Sequence, residues 1–172
     1  MSFVFGVIAF SQLDSLSGSV TQLVLIPMRG HGNVTGIDSV LAWQTGYPFG
    51  VNFSRNYPRF NPGEFTVVDM LSRGEADAAL IIASDPLANL PDIVRNRLRQ
   101  IPTIAMDTHE SETTRIANVA IITSTAGINV DGTVYRMDNI PLPLSKLIPS
   151  QYPSDEEVLQ RMLARAKELK PC

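Results

Sequence analysis

Three short apolar runs constrain this chain more than anything else in it: "DAALIIA" at 77–83, "PTIAM" at 102–106 and "NVAII" at 118–122. Each is too short for a buried helix and is rich in the aliphatic residues that fill a sheet. The intervening segments, "LPDIVRNRLRQ" and "ESETTRIA", carry helical patterning. Strands that alternate with helices at this spacing pair in parallel, through right-handed crossovers. A fourth apolar run, "QLVLIP" at 22–27, reads the same way. The predicted fold class is α/β: a three-layer Rossmann-like domain with a mainly parallel sheet. The run 77–83 is apolar at alternate and intervening positions alike, as a central strand covered on both faces would be.

Around this frame the sequence predicts helices at 3–17, 37–46, 64–73 (with Gly74 as its stop) and 91–99, and one or two helical turns within 110–117. Residues 47–63 hold three prolines, two glycines and a run of aromatics, and read as irregular. After 127 the pattern changes. Asp131-Gly132 is a hairpin turn signal, and a proline-rich extended stretch follows. "SDEEVLQRMLARAKEL" then reads as an amphipathic helix, with Ser154 and Glu157 as a capping box. We divide the chain into an α/β domain at 1–146, and a linker and C-terminal helix at 147–172.

The bulk numbers exclude several classes of function. A net charge of −3 argues against a nucleic-acid partner. The single cysteine, Cys172, cannot form a disulfide framework, an iron–sulfur cluster or a structural zinc site. This fits a reducing, cytoplasmic setting. No apolar run reaches the roughly 18 residues of a membrane span, and "FVFGVIAF" lacks the basic flank of a signal peptide.

Ligands of open α/β sheets bind beyond the carboxyl ends of the strands. Four such loops are legible: "MRGHGNVTG" at 28–36, "SDPLAN" at 84–89, "DTHESETT" at 107–114, and the stretch after 122. All are rich in small and polar residues suited to bases, riboses and phosphates. The same residues also cap helices, so any one loop taken alone says little. The first loop spaces its glycines at 30, 32 and 36, which is neither the dinucleotide fingerprint nor a phosphate-binding Walker loop. Its glycines would let backbone N–H groups approach a ligand. His31 and His109 read as loop hydrogen-bonding residues rather than metal ligands, and Ser84-Asp85-Pro86 as a turn and cap rather than a catalytic pair. No residue presents itself as a catalytic nucleophile or a metal ligand.

Five stretches in order, "PMRGHGNVTG", "WQTGYPFGVNFS", "RGEADAALIIASDPLANLP", "IPTIAMDTHESETT" and "GTVYRMDNIPLP", resemble the carboxyl-terminal part of the B subunit of formylmethanofuran dehydrogenase. That family belongs to the dimethyl-sulfoxide-reductase superfamily of molybdenum or tungsten oxidoreductases and serves CO2 reduction in methanogenesis. The likeness covers roughly residues 22–146. It implies a domain holding one half, the guanosine end, of a molybdopterin guanine dinucleotide. The cofactor contacts it implies are Arg29, Gly30, Gly32, Asn33, Thr35, Ser84, Asp85, Asp107, Thr113, Gly132, Thr133 and Arg136. It also implies partners: a missing N-terminal catalytic portion, which in the family carries the cluster cysteines and the metal-ligating Cys or selenocysteine, and the other subunits of the complex. The chain would then be a fragment or a separately encoded piece, not catalytic alone. Three positions depart from the superfamily pattern: Asn118 replaces Asp, Thr123 replaces Pro and Asn129 replaces Glu.

Two other readings stay open. One is a non-catalytic nucleotide-binding module like the central domain of thiamine-diphosphate enzymes. The other is an interaction protein that kept the fold and lost the ligand, with no cofactor bound. Cut away from the parent architecture that the resemblance implies, the aromatics Trp43, Tyr47, Phe49, Phe53, Tyr57 and Phe60 are expected to form an exposed patch, and with it self-association in isolation or tight binding to the missing catalytic portion.

Overall fold

The structure, a computed structural model, describes residues 33–169. The predicted helix 3–17 and strand 22–27 lie outside the described residues, as do Arg29, Gly30, His31 and Gly32.

Helix α1 (Val34–Thr45) leads to a two-stranded antiparallel ribbon, β1 (Val51–Asn52) with β2 (Arg59–Phe60), and then to helix α2 (Val67–Ser72). Strand β3 (Ala79–Ile82), the short helices α3 (Pro86–Asn89) and α4 (Asp92–Leu98), strand β4 (Thr103–Asp107), helix α5 (Glu112–Ile116) and strand β5 (Val119–Ile122) follow in alternation. A hairpin of β6 (Gly132–Tyr135) and β7 (Pro141–Leu144) precedes the last helix, α6 (Asp155–Leu169).

The three predicted strands within the described residues pair as expected. β3, β4 and β5 form a parallel sheet in sequence order, with Ala79 opposite Thr103 and Ile104 opposite Val119. Successive right-handed crossovers in one direction place their helices on one face. The core lies on that face: Leu71, Leu87, Val94, Leu98 and Ile101 are buried together, and Ala79 and Ile81 pack against them. On the other face Leu80 (47%) and Val119 (48%) are exposed. Among the described residues, then, helices cover one face of the sheet. Within the 77–83 run, β3 shows alternating burial rather than burial on both faces, and among the described strands it pairs with β4 alone.

Helix α3 has one turn and a single buried residue, Leu87 at 1% exposure. Truncating Leu87 to alanine removes the contact of α3 with the core and leaves a cavity. The expected loss is about 2–4 kcal/mol, measurable as a lower midpoint in urea.

Turn chemistry explains where elements stop. Gly46 and Gly74 follow α1 and α2 with φ of 83° and 70°, a left-handed backbone that favours glycine. The α6 capping box forms as expected: Ser154 N–H donates to Glu157 Oε2 at 3.0 Å, and Glu157 N–H to Ser154 Oγ at 3.2 Å. The hairpin signal at Asp131-Gly132 is displaced. The hairpin turns at 136–140, where Asn139 takes a φ of 64° and its N–H donates to the Arg136 carbonyl. Asp131 instead accepts from Lys146 N–H at 2.8 Å, and Gly132 opens β6. The proline-rich stretch supplies β7, whose prolines sit on an edge of the ribbon, where a missing donor is tolerated.

The aromatic segment splits. Tyr47 stacks on Phe60 with centroids 5.1 Å apart, and Phe49 meets Phe60 edge-on at 5.5 Å. Trp43, Phe53 and Tyr57 stay exposed.

Candidate functional site

Two clusters collect the predicted site residues, and in each a long-range hydrogen bond joins two of the sequence motifs.

The first joins the glycine loop to "GTVYRMD". Asn33 sits at the start of α1 with φ of 57°, a conformation asparagine tolerates. Its Nδ2 donates to the Thr133 carbonyl at 3.1 Å, and its Oδ1 accepts from Tyr135 N–H at 2.8 Å. The side-chain amide thus pairs with alternate peptide groups of β6 as a neighbouring strand would. Gly36 makes this possible: a Cβ there would lie 2.4 Å from Asn33 Oδ1. Thr35, whose carbonyl accepts from Ser39, and Gly132 flank this contact. Arg136 is engaged by Asp138 through a forked ion pair, which raises its pKa. Replacing Asn33 by alanine should cost about 1–2 kcal/mol, because two hydrogen bonds are lost and the one to Tyr135 is partly buried. Faster amide exchange at Tyr135 than in wild type would report it directly.

The second cluster lies at the carboxyl edge of the parallel sheet. Asp85, just past β3, spans to α5. Its carboxylate accepts from Thr113 N–H at 3.1 Å, Glu112 N–H at 3.2 Å and the Thr113 hydroxyl. Thr113 Oγ1 in turn accepts from Leu87 N–H at 3.3 Å. Burial opposes the charge on Asp85, but these donors outweigh it and hold its carboxyl below the ordinary range. Ser111 and Thr114 close a second capping box on α5. So Asp85 and Thr113 satisfy each other. Ser84 beside them is exposed and follows Ala83, which is held at φ of 49°. A non-glycine residue in that region is strained by roughly 1 kcal/mol or more.

Asp107 ends β4 and is buried to 7% exposure. Its Oδ1 accepts from Thr108 N–H at 2.7 Å and lies 3.4 Å from His109 Nδ1. His109 Nδ1 also meets the Thr108 hydroxyl at 3.2 Å. No described residue donates to Asp107 Oδ2. Beside it, Thr123 donates its N–H to the Asp107 carbonyl at 2.9 Å, while its own hydroxyl is buried without a partner. Sequence reasoning passed over Thr108 and noted Thr123 only as a departure from a family pattern. The other two departures are structurally engaged: Asn118 Oδ1 accepts from Thr103 N–H at 2.8 Å, and Asn129 bridges Thr125 N–H and the Ile148 carbonyl.

No three His, Cys, Asp or Glu side chains converge to hold a metal among the described residues, and no described helix is long and apolar enough to cross a membrane. A cleft between α2 and α4, lined by Arg73, Asn96, Arg97 and Gln100, lies at the amino ends of the strands, away from these loops. Its two guanidinium groups are engaged by Glu75 and by the Gly74 and Ala76 carbonyls.

No family model matches the chain. It is similar to the B subunit of tungsten-containing formylmethanofuran dehydrogenase 2 from two organisms. In Methanocaldococcus jannaschii the identity is 49% over 151 residues, and in Methanococcus maripaludis 42% over 152 residues. Each match covers 87% of this chain and 35% of the relative. The fold is similar to a chain in the crystal structure of the formyltransferase/hydrolase complex (FhcABCD) of Methylorubrum extorquens with methylofuran. That match has a TM-score of 0.66 and 26% identity, and covers 81% of this chain and 39% of the other. The chain thus spans about a third of the length of the curated relatives it matches, and over that span it is similar to formylmethanofuran dehydrogenase B subunits.

Proposed function

We propose that this chain is the cofactor-cradling part of the B subunit of a cytoplasmic formylmethanofuran dehydrogenase, and that its carboxyl sheet edge takes the guanosine end of a molybdopterin guanine dinucleotide. The observation that carries this reading is Asp107: a buried carboxylate at the end of a parallel strand, with one oxygen engaged by the chain and the other not. A carboxylate of this kind complements the two N–H donors on the edge of a guanine. The unpartnered Thr123 hydroxyl and the strained Ala83, on either side of β4, are consistent with an edge completed by a ligand. Asp85 and Thr113 act differently in this reading. They set the loop that presents Ser84, and do not themselves contact the ligand.

When bound, the cofactor supplies a molybdenum or tungsten centre that exchanges electrons with a one-carbon substrate. This chain would bind and orient its nucleotide end. The remaining two thirds of such a B subunit, together with the other subunits of the complex, would hold the redox centres and substrate, so the chain alone is expected to be inactive. Isothermal calorimetry with GDP and ADP tests the proposal: a clear preference for GDP supports it, and no discrimination overturns it.

A second reading is favoured by two observations. Asn33, Asp85, Thr113 and Arg136 are all engaged within the chain, and the structural relative is named a formyltransferase/hydrolase, not a dehydrogenase. A chain that kept the fold as an assembly element, without the nucleotide, would look the same at those four positions. It would bind neither nucleotide in the same experiment. A preference for adenine or thiamine nucleotides would instead point to the thiamine-diphosphate-like module.

A further inference from the structure

We infer that helix α6 is a self-association element that pairs antiparallel with α6 of a second copy of this chain. The helix runs about 22 Å, and none of its residues is buried. Leu159, Met162, Ala166 and Leu169 follow one another at intervals of three, four and three residues, the spacing of a coiled-coil seam. Leu163 widens that stripe, and Leu163 and Leu169 are 57% and 66% exposed. A helix with such a stripe gains its stability by covering it.

Charge selects the occupant. The first turn carries Asp155, Glu156 and Glu157. The remainder carries Arg161, Arg165 and Lys167, with Glu168 held by Arg165 at 2.7 Å. A second α6 laid alongside in the same direction would set acid against acid and base against base. Laid antiparallel, it sets the acidic turn of each copy beside the basic turns of the other, and the two helix dipoles also oppose favourably. The same patch then serves both copies, as a two-fold interface requires. On the approach to the helix, Leu147, Ile148 and Tyr152 are exposed as well. This inference is independent of the nucleotide reading, because α6 carries none of the cofactor candidates.

Sedimentation velocity of the full chain, from low to high micromolar concentration, tests it. Wild type should show a monomer–dimer equilibrium. Leu163→Glu should weaken it at least about tenfold, with helix content unchanged by circular dichroism. Two charge-reversed variants, Asp155→Lys with Glu156→Lys and Arg161→Glu with Arg165→Glu and Lys167→Glu, should each be monomeric, and their mixture should dimerise. Glu157 is kept because it caps the helix. A wild type that stays monomeric, an association indifferent to Leu163→Glu, or a mixture that fails to associate would each overturn the proposal.

Discussion

Asp85→Ala is expected to destabilise the chain by about 2–4 kcal/mol, the largest effect among substitutions in the loops. Three donors converge on this carboxylate, a hydrogen bond to a charged acceptor contributes about 1.5–3 kcal/mol net, and the bond from Glu112 is solvent-exposed and contributes less. Truncation strands the N–H and hydroxyl of Thr113, which is 1% exposed. It also frees the turn that seats Leu87, whose N–H rests on the same hydroxyl. The effect carries a pH signature. The carboxyl is held below its ordinary value in the folded chain, so the unfolded chain binds the proton more readily. The stabilisation is therefore full above the unfolded carboxyl value, near ~4, and is lost as pH falls through the lower folded value. Urea midpoints measured from neutral pH into that acid range should fall for wild type and fall less for Asp85→Ala. Parallel curves for the two proteins would show that Asp85 is not the group responsible.

Asp107→Asn should exchange base preference rather than merely weaken binding. An aspartate presents two acceptors to the two donors of guanine. An asparagine presents one acceptor and one donor, which matches xanthine, where a carbonyl replaces the amino group. GDP affinity is expected to fall by about 10–100-fold, the scale of one good bidentate base contact, and XDP affinity to rise. Thr108 N–H keeps its acceptor in the variant, so the fold should survive. Calorimetry with both nucleotides on both proteins decides the matter: an unchanged GDP-to-XDP ratio would remove Asp107 from the site.

The two aspartates lie in neighbouring loops but differ in how far the chain engages them, and the difference was not legible in the sequence. "SDPLAN" and "DTHESETT" both offered an aspartate just past a strand. Only the parallel register of β3 with β4, and α5 folding back over the sheet edge, brings Asp85 to a residue 28 positions away and leaves Asp107 Oδ2 without a donor from the described chain. Likewise, Asn33 stood in a glycine-rich loop that invited a ligand. Its amide instead reaches β6, 100 and 102 residues on. That contact gives a physical basis for the co-occurrence of the two most distinctive motifs.

What the sequence determined by itself is the part of the structure governed by short-range chemistry. Aliphatic runs of four to seven residues, separated by helical segments, specify parallel strands with crossovers. Ser154 three residues before Glu157 starts a helix, and Gly46 and Gly74 end helices, because each rule involves groups within one turn of backbone. The tertiary structure decided which polar residues are already engaged. A hydrogen-bonding side chain that looks free in the sequence is free only if the fold brings no donor or acceptor to it, and that depends on contacts made by segments far along the chain. It decided the hairpin for the same reason: Asp131-Gly132 has turn chemistry, but pairing Thr133 with Pro143 and Tyr135 with Pro141 moves the turn to 136–140. It also decided which face of the sheet the described helices cover, because crossovers of one hand advancing in one direction place their helices on one side.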